Sequence, residues 1–373
     1  AMYRRIVVKP ARLTASIEAL VVLGLIMGLV VSDFLYDAAL FAGAAAAGEM
    51  TELMASEMRF AIVGAAFASL LDGVSASSLR VLEEVAYWTH IGIVLVFLNL
   101  LPGSKHFHVI TSIFNVFFSE ISTTPRGAIR AIENIEEQET FGVSHVMEFD
   151  ANQLLDTYTC TECGRCSINC PTTITGKSLN PKQLIIDIRD QLYRREKELL
   201  AHNGPSDDYD GPSLEDSVGY DAIWDCTTCR ACSEARPVMI EHVDKIVDLR
   251  RHLALMEARF PKELGGTFRN LEQKGNPWGL PVNERTAWAD GLEVPSLADN
   301  PDAEYVFWVG CAGAYDDQQK KVSRAVVRIL REAGISFAII GKEETCTGDA
   351  ARRAGNEYLF QMLAEQNIDV MKT

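Results

Sequence analysis

The chain has 373 residues, enough for two or three domains, and a formal charge of −16 at pH 7. That acidity, with no basic patch to offset it, argues against nucleic acid as a partner. Seven of its nine cysteines lie in two short runs, which suits metal binding in a reducing compartment and not a disulfide framework.

Residues 1–13 carry Arg4, Arg5, Lys9 and Arg12 and no acid, so by the positive-inside rule this end lies in the cytoplasm. No cleavable signal is expected before the apolar segment that follows. Ala19 to Val31 is uncharged and predicts a first membrane span at about 15–36. A run this short would also suit a buried core helix. Residues 33–80 hold six acids (Asp33, Asp37, Glu49, Glu52, Glu57 and Asp72) against Arg59 and Arg80, as an outer-face loop would. Within them, residues 58–72 read as an interfacial helix, with a packed helix on the soluble side as the alternative. Val85 to Leu101 is uncharged, carries Tyr87 and Trp88 near one end and meets Lys105 beyond the other, predicting a second span at about 83–101. After Pro102 the apolar run resumes from Phe107 to Phe118, as a kinked continuation of the same helix. Two spans return the chain to the cytoplasm.

An imidazole inside a span needs a reason, and His90 is one. His108 lies 18 residues on, five turns of a continuous helix, on the same face and about 27 Å away. That spacing suits two b-type haems stacked across the bilayer, each iron bound by histidine. The plainer reading of His90 is a histidine hydrogen-bonded within a bundle. His106 points elsewhere, towards headgroups.

A polar connector (120–150) is expected to be helical from Arg126 to Glu139. The next stretch carries the cysteine runs. Cys160, Cys163, Cys166 and Cys170 followed by Pro171 fit C-x2-C-x2-C-x3-C-P at every position, the pattern of a bacterial two-cluster ferredoxin. Cys226, Cys229 and Cys232 repeat it, but Arg236 stands where the fourth cysteine belongs. In that pattern the fourth thiolate crosses to the other cluster. Cys160, Cys163 and Cys166 should therefore hold one cluster with position 236 as its fourth corner. Cys226, Cys229 and Cys232 should hold the second, completed by Cys170. A guanidinium cannot ligate iron, so the first cluster becomes [3Fe-4S] or keeps an open iron corner. Zinc also uses C-x2-C pairs, but a third cysteine at the same step is surplus for it. Pro181 to Leu200 and Ile246 to Arg259 read as helices and His202 to Tyr220 as a surface loop, which makes 151–260 a helical ferredoxin. A loop beginning at Gly275-Asn276-Pro277-Trp278-Gly279 fills most of a linker over 261–300. Residues 301–373 read as β-α-β-α, the opening of a parallel sheet, with Cys311 after the first strand and Cys346 after the second. This last domain is expected to be incomplete.

These motifs together resemble membrane-bound iron–sulfur oxidoreductases related to the catalytic subunit of heterodisulfide reductase, and among them bacterial electron-transfer-flavoprotein:menaquinone oxidoreductases. The residues that carry the resemblance are Leu101 to His108, both cysteine runs, Gly275 to Gly279, Gly310-Cys311 and Cys346-Thr347-Gly348. The resemblance implies a mainly α protein. A b-type cytochrome domain (1–119), similar to the gamma subunit of nitrate reductase, precedes the two-cluster ferredoxin and the start of an α/β CCG domain. It further implies haem b on His90 and His108, and a CCG-type iron–sulfur cluster near Cys311 and Cys346. The pattern of that domain has paired cysteines where Cys346-Thr347 stands. The implied function is electron transfer from electron-transfer flavoprotein or a similar flavoprotein to menaquinone. Its setting is the bacterial cytoplasmic membrane, multi-pass, with the iron–sulfur part in the cytoplasm. Two alternatives stand beside it: a heterodisulfide reductase-type thiol–disulfide oxidoreductase, and a non-catalytic wiring or anchoring subunit.

Overall fold

The computed structural model describes residues 2–10, 12, 13, 16–119, 128–202 and 211–372. The fold is mainly helical and divides into two units: Ala1–Phe118 with Tyr158–Arg165, and Ser119–Thr157 with Cys166–Thr373.

The first unit is built on α1 (Ile17–Ala47), α2 (Glu52–Phe60), α3 (Ile62–Leu70), α4 (Ala76–Leu100) and α5 (His108–Phe117). Ser16 caps the start of α1 by accepting the Ala19 N–H, and Gly48, at φ 70°, ends it in a left-handed turn. By length and composition α1 and α4 can each cross a membrane, and α2 and α3, bent by 107° at their junction, could form a broken third span or a re-entrant loop. These helices make the unit the membrane-associated part of the chain.

Three expectations change. The first helix runs on to Ala47, so Asp33 and Asp37 lie within it and not in a loop. The added turns are rich in alanine and pack: Phe41, Ala42, Ala68 and Leu79 form a buried core. At Gly64 of α3 an added Cβ would lie 2.5 Å from Asp37 Cβ, so only glycine permits that approach. A single helix over 58–72 does not form, because the chain breaks at Ala61 between α2 and α3. The kinked helix through Pro102 does not form either. Proline lacks the N–H that would bond back along the helix. Ser104 instead caps a 3-10 turn, Lys105–Phe107, from which α5 starts afresh at His108.

The rest of the chain forms α6 (Ala151–Thr159), α7 (Arg165–Ile168), α8 (Pro171–Ile174), α9 (Pro181–His202), α10 (Leu214–Val218), α11 (Tyr220–Asp225), α12 (Ala231–Glu234), α13 (Val243–Arg251) and α14 (Lys262–Lys274). The connector helix expected from Arg126 starts outside the described residues, and from residue 128 onward only a 3-10 turn, Ile135–Glu137, occupies its place. Of the loop expected over 202–220, residues 203–210 lie outside the described residues and α10 forms in the remainder, capped by Ser213. The second predicted helix starts at Val243 and passes into a π-helical turn, His252–Met256. Gly142, at φ 73°, lies against that transition, and the Val143 N–H donates to the Asp248 carbonyl at 3.0 Å.

The β-α-β-α order appears as expected. Strands β1 (Tyr305–Val306) and β2 (Phe337–Ala338) pair in parallel, Tyr305 opposite Phe337. Between them lie α15 (Gly310–Tyr315) and α16 (Asp317–Glu332), and after them α17 (Asp349–Arg353) and α18 (Glu357–Lys372). One core gathers Trp288, Ala314, Tyr315, Val327, Phe337 and Ile339. Another gathers Phe268, Leu271, Ala351, Ala354, Leu359 and Leu363. Fully burying a leucine such as Leu271 or Leu363 contributes about 1.5–3 kcal/mol.

Candidate iron–sulfur sites

The two cysteine runs share a backbone. Glu162 (φ 53°) and Gly164 (φ 70°) flank Cys163, and Thr228 (φ 54°) and Arg230 (φ 58°) flank Cys229 at the same two positions. Left-handed residues set between others in this way turn successive N–H groups into one concavity, which suits anionic sulfur. A β-branched residue at positive φ is a genuine outlier. Thr228 is held there by bonds: its N–H donates to Cys226 Sγ at 3.3 Å, and Arg353 Nη1 donates to its hydroxyl at 2.6 Å. The loop thus has a concave backbone with its thiol-bearing residues held in place.

Within the second unit, Cys170 comes into the field of the second run. It caps α8 with Pro171 at the first helical position, and it is buried. Burial pushes the Cys232 thiol up to about 12, helped by the neighbouring Cys226, Cys166 and Cys170. Burial also raises Cys226, which Arg250 opposes, with Cys170 and Cys229 adding to the rise. Thiols held this high stay protonated at neutral pH, so metal loading must displace their protons. In the first run, Cys160 is buried and Cys163 half-buried, and the division between the units falls between Arg165 and Cys166. All nine cysteines are without a disulfide. Among the described residues no three His, Cys, Asp or Glu side chains converge on a single-ion site.

Arg236 is built into the fold. Its Nη1 donates to the Ile240 carbonyl at 2.8 Å and pairs with the Glu241 carboxylate. Glu241 also takes Arg230 at 3.0 Å and the Ser233 hydroxyl at 2.9 Å. Below them Lys245, wholly buried, pairs with Asp156 at 2.5 Å.

Cys311 and Cys346 meet. Their thiols hydrogen-bond, which drops Cys346 to about 6 with help from the Gly348 N–H and Arg285, and drives Cys311 upward together with burial. Both terminal nitrogens of Arg285 lie 3.6 Å from Cys311 Sγ, and Arg285 pairs with buried Glu344 at 2.6 Å. Glu344 in turn accepts the Gly310 N–H at 2.8 Å, fixing the turn that presents Cys311. The Gly275 carbonyl accepts the Cys346 N–H at 2.7 Å and lies 3.6 Å from Cys311 Sγ. Asn276, wholly buried, shapes that loop through bonds to Lys274 and Leu280. The pair supplies two of the four thiolates a cluster takes, and Thr347 supplies none, so the fit to a cluster is partial.

Residues 153–237 match the model of a 4Fe-4S dicluster domain, and residues 305–373 that of a cysteine-rich domain. A probable iron–sulfur-binding oxidoreductase, FadF of Bacillus subtilis, is 37% identical over 99% of this chain and 56% of its own length. An EtfAB:quinone oxidoreductase of Syntrophomonas wolfei is 36% identical over 97% of this chain and 54% of its own. A component of the dihydromethanophenazine:CoB–CoM heterodisulfide reductase of Methanosarcina acetivorans is 28% identical over 60% of this chain and 54% of its own. The chain is similar to iron–sulfur oxidoreductases and, at lower identity, to a heterodisulfide reductase component. It spans about half the length of these relatives. No solved structure matches it.

The two histidines do not share a helix. His90 lies in α4, and His108 opens α5 with its ring 5.5 Å from that of His106. The five-turn spacing expected of them therefore has no continuous helix to carry it. His90 Nδ1 lies 3.1 Å from Ser32 Oγ, whose own proton goes to the Leu29 carbonyl at 2.9 Å. In the neutral tautomer that donates from Nδ1 to Ser32, Nε2 is the unprotonated nitrogen.

Sequence reasoning missed Arg250, Arg285, Glu344 and Arg353. Gly275 to Gly279 was singled out, but its part in holding Cys346 was not. An arginine or glutamate in an otherwise ordinary segment gives no local sign of burial.

Proposed function

We propose that the chain is the membrane-bound, cluster-carrying portion of an electron-transfer oxidoreductase. It would take electrons from a soluble flavoprotein such as electron-transfer flavoprotein and deliver them to menaquinone, with haem b on His90 and His108 at the membrane end. The observation that carries this reading is the paired loop geometry, with left-handed residues at the same two positions beside Cys163 and Cys229. The EtfAB:quinone oxidoreductase relative supports the choice of partners. Bound clusters would supply one-electron carriers that need no proton.

The residues of this chain hold and connect those positions. Cys226, Cys229, Cys232 and Cys170 would bind one cluster, and Cys160, Cys163 and Cys166 the other. Trp224, two residues before Cys226, packs on the same core as Cys346. A short packed route therefore joins the second run to the cysteine-rich domain. His90, donating through Nδ1 to Ser32, keeps Nε2 for an iron. The basic residues before α1 would place the cluster-bearing unit in the cytoplasm, with a multi-pass membrane unit.

The test uses membranes carrying the full protein, reduced electron-transfer flavoprotein and a menaquinone analogue. Quinone reduction that disappears in Cys229→Ser supports the reading; a rate that survives in that variant removes it. The contact between Cys311 and Cys346 favours a second reading, thiol–disulfide chemistry at that pair. Reduction of a heterodisulfide, lost in Cys346→Ser, would support it instead.

A further inference from the structure

Arg250 is 4% exposed, and all of its hydrogen bonds go to carbonyl oxygens. Nε and Nη2 hold Ile223 at 3.0 and 2.8 Å, and Nη2 also holds Trp224 at 3.1 Å and Cys226 at 2.7 Å. Nη1 reaches the Arg353 carbonyl at 2.8 Å. Its neighbour Arg251 is neutralised by Asp248 and Glu357. Among the described residues no carboxylate pairs with Arg250. A buried guanidinium without a counter-ion is costly, and it cannot lose its proton to escape. The guanidinium is hydrogen-bonded to the backbone of Cys226 itself, so the group that this cysteine carries lies in its field.

Arg353 closes the same loop from the other side. Its Nη1 donates to Thr228 Oγ1, while its carbonyl accepts from Arg250. The contact is rigid. Gly355 crosses Arg250 so closely that an added Cβ would lie 2.5 Å from the Arg250 carbonyl carbon. Thus α13 and α17 grip the Cys226–Cys232 loop between two guanidinium groups, of which Arg353 also pairs with Asp349 at 2.8 Å while Arg250 has no carboxylate partner among the described residues. Because α17 lies within the cysteine-rich domain, that domain reaches directly into the dicluster domain.

We propose that Arg250 and Arg353 form a cationic clamp that sets the reduction potential of the cluster on Cys226, Cys229, Cys232 and Cys170. The proposal rests on the reading of that loop as a cluster site. A fixed positive charge favours the more negative, reduced state, so the clamp raises the potential. It also makes the potential depend on how the cysteine-rich domain is seated.

The test is an EPR redox titration of the full protein in detergent, as parent, R250K, R250Q and R353Q, with iron content measured alongside. R250Q should hold roughly one-tenth as much reduced cluster at a given potential, a downward shift of about 59 mV for one electron, and R353Q, whose charge is half-exposed and paired with Asp349, should shift in the same direction by less. R250K, which keeps the charge, should stay near the parent. Loaded glutamine variants that titrate with the parent overturn the clamp. Should R250Q fail to load, R353Q decides alone, since Arg353 is half-exposed and leaves the carbonyl bonds of Arg250 in place. A parent without any [4Fe-4S] signal removes the cluster reading itself, an outcome distinct from a cluster that is present and insensitive.

Discussion

Arg285 and Glu344 pair at 2.6 Å with their side chains 3% and 1% exposed, 59 residues apart in the chain. The pair orients Cys311 through the Gly310 N–H and places a guanidinium on its sulfur. Arg285→Met should leave Glu344 as a lone buried charge and cost about 3–5 kcal/mol of stability. It should also raise the Cys346 pKa, because the cation that favours the thiolate is gone. Thermal melts measure the first effect. The pH profile of Cys346 alkylation in metal-free protein measures the second: half-maximal near pH 6 in the parent, and higher in the variant. An unchanged profile would mean that Arg285 does not act on the thiol pair.

His242 is wholly buried, and desolvation, aided by Lys245 and Arg236, holds it down to about 3. The unfolded chain protonates a histidine near 6.5. Between those values the unfolded state binds one more proton, so stability rises with pH across the window and is fully present above about 6.5. Denaturant melts of detergent-solubilised protein should show acid destabilisation beginning below pH 6.5, with an upper bound of about 5 kcal/mol by pH 3. His242→Gln should flatten that slope between pH 6.5 and 4. A slope equal to the parent's would assign the acid sensitivity to carboxylates.

Crossed ligation would make Arg236 weaken the cluster of the other run. Oxidised protein should show a [3Fe-4S] EPR signal that Arg236→Cys converts to [4Fe-4S]. Glu241 keeps Arg230 as a partner in that variant, so the surrounding network should survive. Cys163→Ser should remove the signal and Cys229→Ser should leave it. The reverse pattern would show that each run ligates its own cluster.

For the membrane unit, dithionite-reduced membranes should show a b-type optical spectrum, and His90→Ala should remove one component of it. Ser32→Ala, which takes away the acceptor for Nδ1–H, should retain the haem but shift its potential. A spectrum indifferent to His90→Ala would leave His90 as a bundle histidine bonded to Ser32.

The chemistry of this protein was legible wherever it is local. Cysteine spacing predicted two matching tight turns, because ligands two residues apart must lie on one turn, and the left-handed residues now found at Glu162, Gly164, Thr228 and Arg230 are the backbone form of that turn. The uncharged runs marked α1 and α4 as candidate spans, since a bilayer filters for length and apolarity alone. Strand–helix alternation named the parallel pairing of Tyr305 with Phe337. Tertiary structure decided the rest. Asp37 lies inside α1, with Gly64 of α3 packed close against it. His108 leaves the helix of His90 because a capped turn at Ser104 follows Pro102. Arg250, Arg285 and Arg353 matter only through groups 24 to 125 residues away. Periodicity records which face of a segment is apolar. It does not record which distant carbonyl, carboxylate or thiol a buried charge will meet, because that partner exists only once the chain has folded.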